Sequence, residues 1–295
     1  MADQGENIRE IRALMRLMDE PDPAVYQEVA HRILTVGPPA VPFLENTWDG
    51  SSDSLVQERI DDLLRQIRFQ AVHTGFGQWV ASGCKDLLGG CLLLARMGNP
   101  SLSEEDVHFE IGRIRKDVWL EINENLTALE QVRVFNHVFY ELHGFSGNME
   151  DVHAPENFFI DWVLDHRKGN SISLSILYML VAQGLDLPVA GVSLPEHFLL
   201  AYLGRAGEGE AAGGEEPQVL FYINAYSKGS VYSRQEVSDF LLRLGHEPGP
   251  EYLAPGNNRA LMQHLLDDLV AAYIQAGSPD YTAQAVALRA LLAGE

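Results

Sequence analysis

Residues 167–203 read RKGNSISLSILYMLVAQGLDLPVAGVSLPEHFLLAYL, and the change of character inside this stretch decides the fold. Gly169-Asn170-Ser171 opens what reads as a buried helix. Beyond it LPVAGVSL and HFLLAYL are short, apolar or alternating, and rich in valine, phenylalanine and tyrosine, so they predict strands, with VLFYINAYS (219–227) as a third. The stretch also poses a chemical question. Ser171 is either a nucleophile at a helix start or the cap of a packing helix, its hydroxyl accepting from a backbone N–H near Ser173 or Leu174.

Outward from this centre the chain is helical on both sides. From Asn7 to about Phe69 the unit is helix, turn, helix: Leu14, Leu17 and Met18 give one apolar stripe, DEPDP turns the chain, and Val25, Val29, Ile33 and Leu34 mark the next helix before Gly37-Pro38-Pro39. The acidic turn followed by Leu-x-x-Gly (34–37) resembles a HEAT-type repeat. KDLLGGCLLLARM and TALEQVRVFNHVFYELHGF predict further helices, the latter ended by Gly144. GFSGN and DVHAPENFF read as a structured loop. The Gly- and Glu-rich GRAGEGEAAGGEEPQ (204–218) is expected to be a mobile hairpin loop. RQEVSDFLLRLG and a closing helical hairpin follow. The expected divisions are 1–75 for the HEAT-like segment, 76–150 for a helical region, 151–245 for the core and 246–295 for the hairpin.

Composition bounds the function. Hydrophobic residues make up 46% of the 295 and charged residues 21%, as in an ordinary globular chain. Against 42 Asp and Glu stand 21 Lys and Arg, a formal net charge of -21, which repels phosphate backbones and argues against nucleic acid. Only Lys85, Lys116, Lys168 and Lys228 are lysines; an acidic, lysine-poor surface suits a salt-rich cytoplasm. The N-terminus lacks the apolar core of a secretory signal, and no run approaches the roughly 20 apolar residues that cross a bilayer. Cys84 and Cys91, seven apart on an expected helix, are read as packing residues in a cytoplasmic, disulfide-free protein. His153, Asp161 and His166 match no zinc spacing. His166, Arg167 and Lys168 offer donors for an anion beside the helix start, or form a solvated loop.

The order helix with Gly-x-Ser, strand, strand bearing His197, loop, strand ending at Asn224 is that of papain-like and transglutaminase-like sites. There a helix-borne cysteine is pushed toward thiolate by the helix dipole and a neighbouring imidazolium, and an Asp or Asn orients the ring. NFFIDWVLDHRKGNSISLSILYMLVAQGLDLPVAGVSLPEHFLLAY resembles the SirB-type transglutaminase-like proteins, with their Arg-x-Gly before a Ser-Leu-Ser helix and a Gly-Val-x-Leu-Pro-x-His-Phe strand entry. FNHVFYELHGFSGN, YINAYSKGSVYSRQE and EYLAPGNNRALMQHLLDDL extend the resemblance over roughly 87–292. It implies that Ser171 stands where the family has its cysteine, His197 at the histidine and Asn224 at the aspartate. Asn224 is compatible with a Cys-His-Asn site. Ser171 is the serious departure, because an alcohol is far less acidic than a thiol with its pKa of about 8.5.

The expectation is therefore an α+β, mostly helical protein with a degenerate transglutaminase/papain-like domain, a small antiparallel sheet packed on helices, and N-terminal HEAT-like repeats. Its expected role is non-catalytic: a regulatory module binding an unidentified protein or peptide, with no cofactor, no metal, no nucleic acid and no membrane. In that reading His197 is a buried, hydrogen-bonded histidine, and Asn224 bonds a local backbone group. The alternative is an amide or ester hydrolase or acyl transferase with Ser171 as nucleophile, His197 as base, Asn224 as orienter and helix-start N–H groups as the oxyanion hole.

Overall fold

The computed structural model describes residues 2–195, 197–204 and 218–294; most of the predicted 204–218 loop lies outside the described residues. The chain divides into two compact units, residues 1–75 and 76–295. The first holds α1 (Ala2–Met15), α2 (Pro23–Val36), α3 (Val41–Gly50) and most of α4 (Ser54–Ala81). Asp22 caps α2 by accepting from the Ala24 N–H at 2.9 Å, and Pro23 occupies the first turn, where its missing N–H costs nothing. Met18, Val29, Ile33, Leu44, Ile60 and Leu63 make this unit's core.

The second unit continues with α5 (Leu87–Gly98), α6 (Glu104–Glu121), α7 (Ala128–Asn136), a π-helical turn (His137–Leu142), β1 (Ser146–Gly147), α8 (Ile160–His166), β2 (Lys168–Gly169) and α9 (Ser171–Gln183). The sheet then forms as β3 (Val189–Leu194), β4 (His197–Leu203), β5 (Val219–Asn224) and β6 (Ser230–Tyr232), and α10 (Arg234–Arg243), α11 (Pro250–Leu253), α12 (Asn258–Gln275) and α13 (Pro279–Ala293) close the chain. The four strands pair antiparallel in sequence order. β1 and β2 form a short parallel ribbon that brings the chain to the start of α9. No helix of the described residues is long and apolar enough to cross a membrane.

Burial explains the layering. Ile172 to Tyr178 of α9 are all buried, so this helix has no polar face and lies in the core. Its two buried serines are both satisfied: Ser173 in the helix cap and Ser175 by donating to the Ser171 carbonyl at 2.7 Å. Beside it Phe135, Phe139, Phe145 and Tyr178 stack, with Phe135 and Tyr178 centroids 3.9 Å apart. Strand alternation sorts the sheet's two faces. Phe198, Leu200 and Tyr202 turn to the side of α9 and α12: Phe198 meets His264 edge-on and Tyr202 lies near Tyr178. Val192, Leu194, Leu199, Ala201 and Tyr222 turn the other way and pack with Val237 and Leu241 of α10 and Leu253 of α11.

One expectation about placement fails. Cys84 is not on a helix with Cys91; it sits in the turn between α4 and α5 at φ +56°, next to Gly83 at +88°. Ser82-Gly83 ends α4 there, and both cysteines are unpaired and buried. Burial pushes the Cys91 thiol up to about 12, with Asp86 adding to the shift.

Candidate functional site

Local geometry at the start of α9 removes the capping role from Ser171. Asn170 is the N-cap: its Oδ1 accepts from the Ser173 N–H at 2.9 Å, and the Ser173 Oγ accepts in return from the Asn170 N–H at 3.1 Å. This reciprocal pair is a capping box. Ser171 is thereby the first helical residue, and its hydroxyl makes no hydrogen bond with a described residue. It lines an open cleft of about 590 Å³.

The same cleft is lined by His197 and Asn224, so all three predicted positions meet in one place. They do not form a hydrogen-bonded chain. His197 pairs with Leu194 at the β3–β4 end and leaves the strand on the Leu199 and Ala201 face, turned toward α10. Its ring centroid lies 5.0 Å from that of Phe240. The expected buried, hydrogen-bonded histidine is thus an exposed one that bonds no described residue. Ser171, at the start of α9, and His197 line the cleft without a hydrogen bond between them. Asn224 Oδ1 accepts from the Ser227 N–H at 3.1 Å, and the Asn224 carbonyl accepts from Gly229 at 2.9 Å. These bonds close the β5–β6 turn, the local role of Asx residues at strand ends.

The turn is held from behind by a buried and half-buried polar network. Tyr140, in the π-helical segment after α7, donates to the Ala225 carbonyl at 2.8 Å. Asn136 Nδ2 donates to the Gly229 carbonyl at 2.9 Å, and Tyr178 of α9 donates to Asn136 Oδ1 at 3.1 Å. Burial raises the phenols of Tyr140 and Tyr178, so both stay protonated donors at neutral pH. At the front, the Tyr226 ring lies on the backbone of Gly147 in β1, and its hydroxyl donates to the Met149 sulfur at 3.1 Å. One lip of the cleft is therefore fixed to both α9 and the β1–β2 ribbon.

The other wall is α10, which contributes Glu236, Val237, Asp239, Phe240 and Arg243. Ser233 and Glu236 form its capping box, and hydrogen bonds from the Ser233 N–H and hydroxyl hold the Glu236 carboxyl below its ordinary value. The serine–x–x–glutamate spacing was readable in the sequence as a helix start, but nothing there tied this helix to His197. The proposed anion site is not assembled. Arg167 donates to Glu110 at 2.7 Å and lies over Phe145, Lys168 pairs with Glu150 at 2.9 Å, and the His166 ring stacks on Trp162.

A family model described as the transglutaminase-like superfamily matches residues 105–267, which include α9, the whole sheet, α10 and the three cleft positions. The chain belongs to the transglutaminase-like superfamily. Within this superfamily it is 32% identical over 165 residues to a UPF0162 protein of Vibrio cholerae, covering 56% of each chain. It is 25% identical over 196 residues to the UPF0162 protein YchA of Escherichia coli, covering 65% of this chain and 66% of that one. It is also similar to F-box only protein 21 of Mus musculus, 29% identical over 175 residues, which is 59% of this chain and 25% of that protein. The chain thus spans about half the length of the Vibrio relative. No solved structure matches it.

Proposed function

We propose that this chain is a non-catalytic transglutaminase-like protein of the SirB type, whose cleft binds an extended peptide or protein segment in the cytoplasm. The observation that carries the reading is the placement of His197. A base that activates an alcohol has to reach its proton at hydrogen-bond distance and be oriented by a third group. Here His197 points toward α10 and lies beside Phe240, while the Asn224 oxygen accepts from Ser227. The cleft itself suits binding: Leu194, Leu199, Val237 and Phe240 line it with apolar groups, and Tyr226, Tyr232, Ser171 and Arg243 offer hydrogen-bonding groups. In this reading the N-terminal helices are HEAT-like repeats that present a second recognition surface.

Peptides selected from a random library on the full chain test this. They are expected to bind the unaltered chain and to lose binding with Ser227→Trp, which places an indole at the exposed cleft rim. Recovery of no binder, or of binders indifferent to Ser227→Trp and to Phe240→Ala, contradicts the reading.

A second reading has one observation in its favour. Ser171 is released from capping and shares the cleft with His197 and Asn224, at a helix start whose free N–H groups can receive an oxyanion. That arrangement would make the protein a hydrolase or acyl transferase of amides or esters.

A further inference from the structure

The outer face of α6 is built unlike a solvated helix face. Val107, Ile111, Ile114 and Val118 form its buried stripe. On the other side Phe109, Gly112, Arg113, Lys116, Trp119 and Leu120 share an arc of about 120° at 3.6 residues per turn. Phe109, Trp119 and Leu120 are 68%, 66% and 64% exposed, where an amphipathic helix ordinarily turns charged and polar groups to water. Glu105 falls on that arc one turn before Phe109, but between Phe109 and Leu120 no acidic side chain does. In a chain of net charge -21 this is a local reversal of sign.

Charge and shape say what kind of occupant fits. Lys116 makes no ion pair with a described residue, and Arg113 pairs with Glu110 at 2.7 Å in a partly exposed contact of small energy. Two copies set face to face would oppose these cations, so symmetric self-pairing is disfavoured. An anionic bilayer would meet few cations on a strongly acidic molecule, and is disfavoured too. Gly112 is the third observation. A glycine inside a helix costs about 1 kcal/mol against alanine, yet a Cβ placed there would meet nothing within 4 Å. The fold does not require glycine at that point; the close approach of a second backbone would.

We propose that this face docks an acidic, leucine-bearing helical segment of another protein. Its apolar side chains seat over Gly112 between Phe109 and the Trp119–Leu120 pair, and its carboxylates meet Lys116 and Arg113. The face shares no residue with the cleft, so it is a separate recognition site and does not rest on the reading given to the cleft.

The test titrates the full chain with a synthetic amphipathic helix of about five turns, leucine on one face and glutamate elsewhere. A lysine counterpart and phosphatidylserine vesicles are the comparison arms. Calorimetry gives affinity, and tryptophan emission reports on Trp119. The Leu/Glu helix is expected to bind, to shift the emission to the blue, and to weaken as salt screens the pairing. Affinity should fall about tenfold or more in Lys116→Glu and in Phe109→Ser. Trp119→Phe should keep binding and abolish the shift. These side chains are exposed, so each variant should melt with the unaltered chain. The proposal is overturned by no binding, by equal binding of the lysine helix, by indifference to Lys116→Glu and Phe109→Ser, by self-association through this face, or by vesicle binding in place of peptide binding.

Discussion

Gly229 and its neighbours show how single residues set the cleft. Gly229 has φ +70°, and a Cβ there would fall on the Asn136 amide. Gly229→Ala therefore combines left-handed strain of about 1–2 kcal/mol with displacement of the side chain that satisfies the Gly229 carbonyl. Tyr140→Phe removes only the buried donor to Ala225, a loss of about 1 kcal/mol. In thermal melts Gly229→Ala should lower Tm by several degrees and Tyr140→Phe by less; an unchanged Tm in both would contradict the anchoring role. At this scale the sequence was legible in position but not in role. Asn170, Ser171 and Ser173 are neighbouring candidate caps, and shifting the cap by one residue turns Ser171 from a capping group into a cleft-lining one. His197 was placed correctly on its strand, but the face it uses depends on pairing register, which one strand alone does not reveal. Asn136, Tyr140 and Tyr178 gave no signal, since their partners are 93, 85 and 42 residues away in the chain.

Among elements, the long apolar or alternating segments were readable and the short ones were not. β3, β4 and β5 carry enough valine, phenylalanine and tyrosine to declare themselves, whereas β6, three residues long, is too short to show alternation. The π-helical turn after α7 is six residues long and has no sequence pattern that sets it apart from an α-helix. Helix starts carry a pH dependence. Hydrogen bonds from Thr127 and Ser233 hold the carboxyls of Glu130 and Glu236 below their ordinary 4.5. A depressed carboxyl contributes stability that is present above the unfolded pKa and is lost as pH falls through the lower folded value. α7 and α10 should therefore loosen on acidification below that range. Glu236→Gln should be less stable than the unaltered chain at neutral pH and should converge with it in acid; melting curves that stay parallel at all pH values would contradict the assignment.

For the whole molecule, the excess of 42 acidic over 21 basic residues sets the solution behaviour. Self-repulsion destabilises the compact state at low ionic strength, and shrinking the Debye length from about 10 Å at 0.1 M to about 3 Å at 1 M salt relieves it. Tm should rise between those salt concentrations; a flat or falling profile would remove the case for a salt-rich setting. Charge and composition were legible from the sequence alone, as was the succession of helix, strands and helix that makes the core α+β. What the sequence did not disclose is that α10 walls the cleft and sets Phe240 beside His197, since that depends on which face of the sheet α10 covers.

The placement of His197 beside Phe240 is the basis for reading the cleft as a binding site. Incubating the full chain with a serine-directed phosphonate and measuring intact mass tests it most directly. No adduct on Ser171 is the predicted result. An adduct on Ser171 that disappears in Ser171→Ala and in His197→Ala would contradict the account and establish an activated serine.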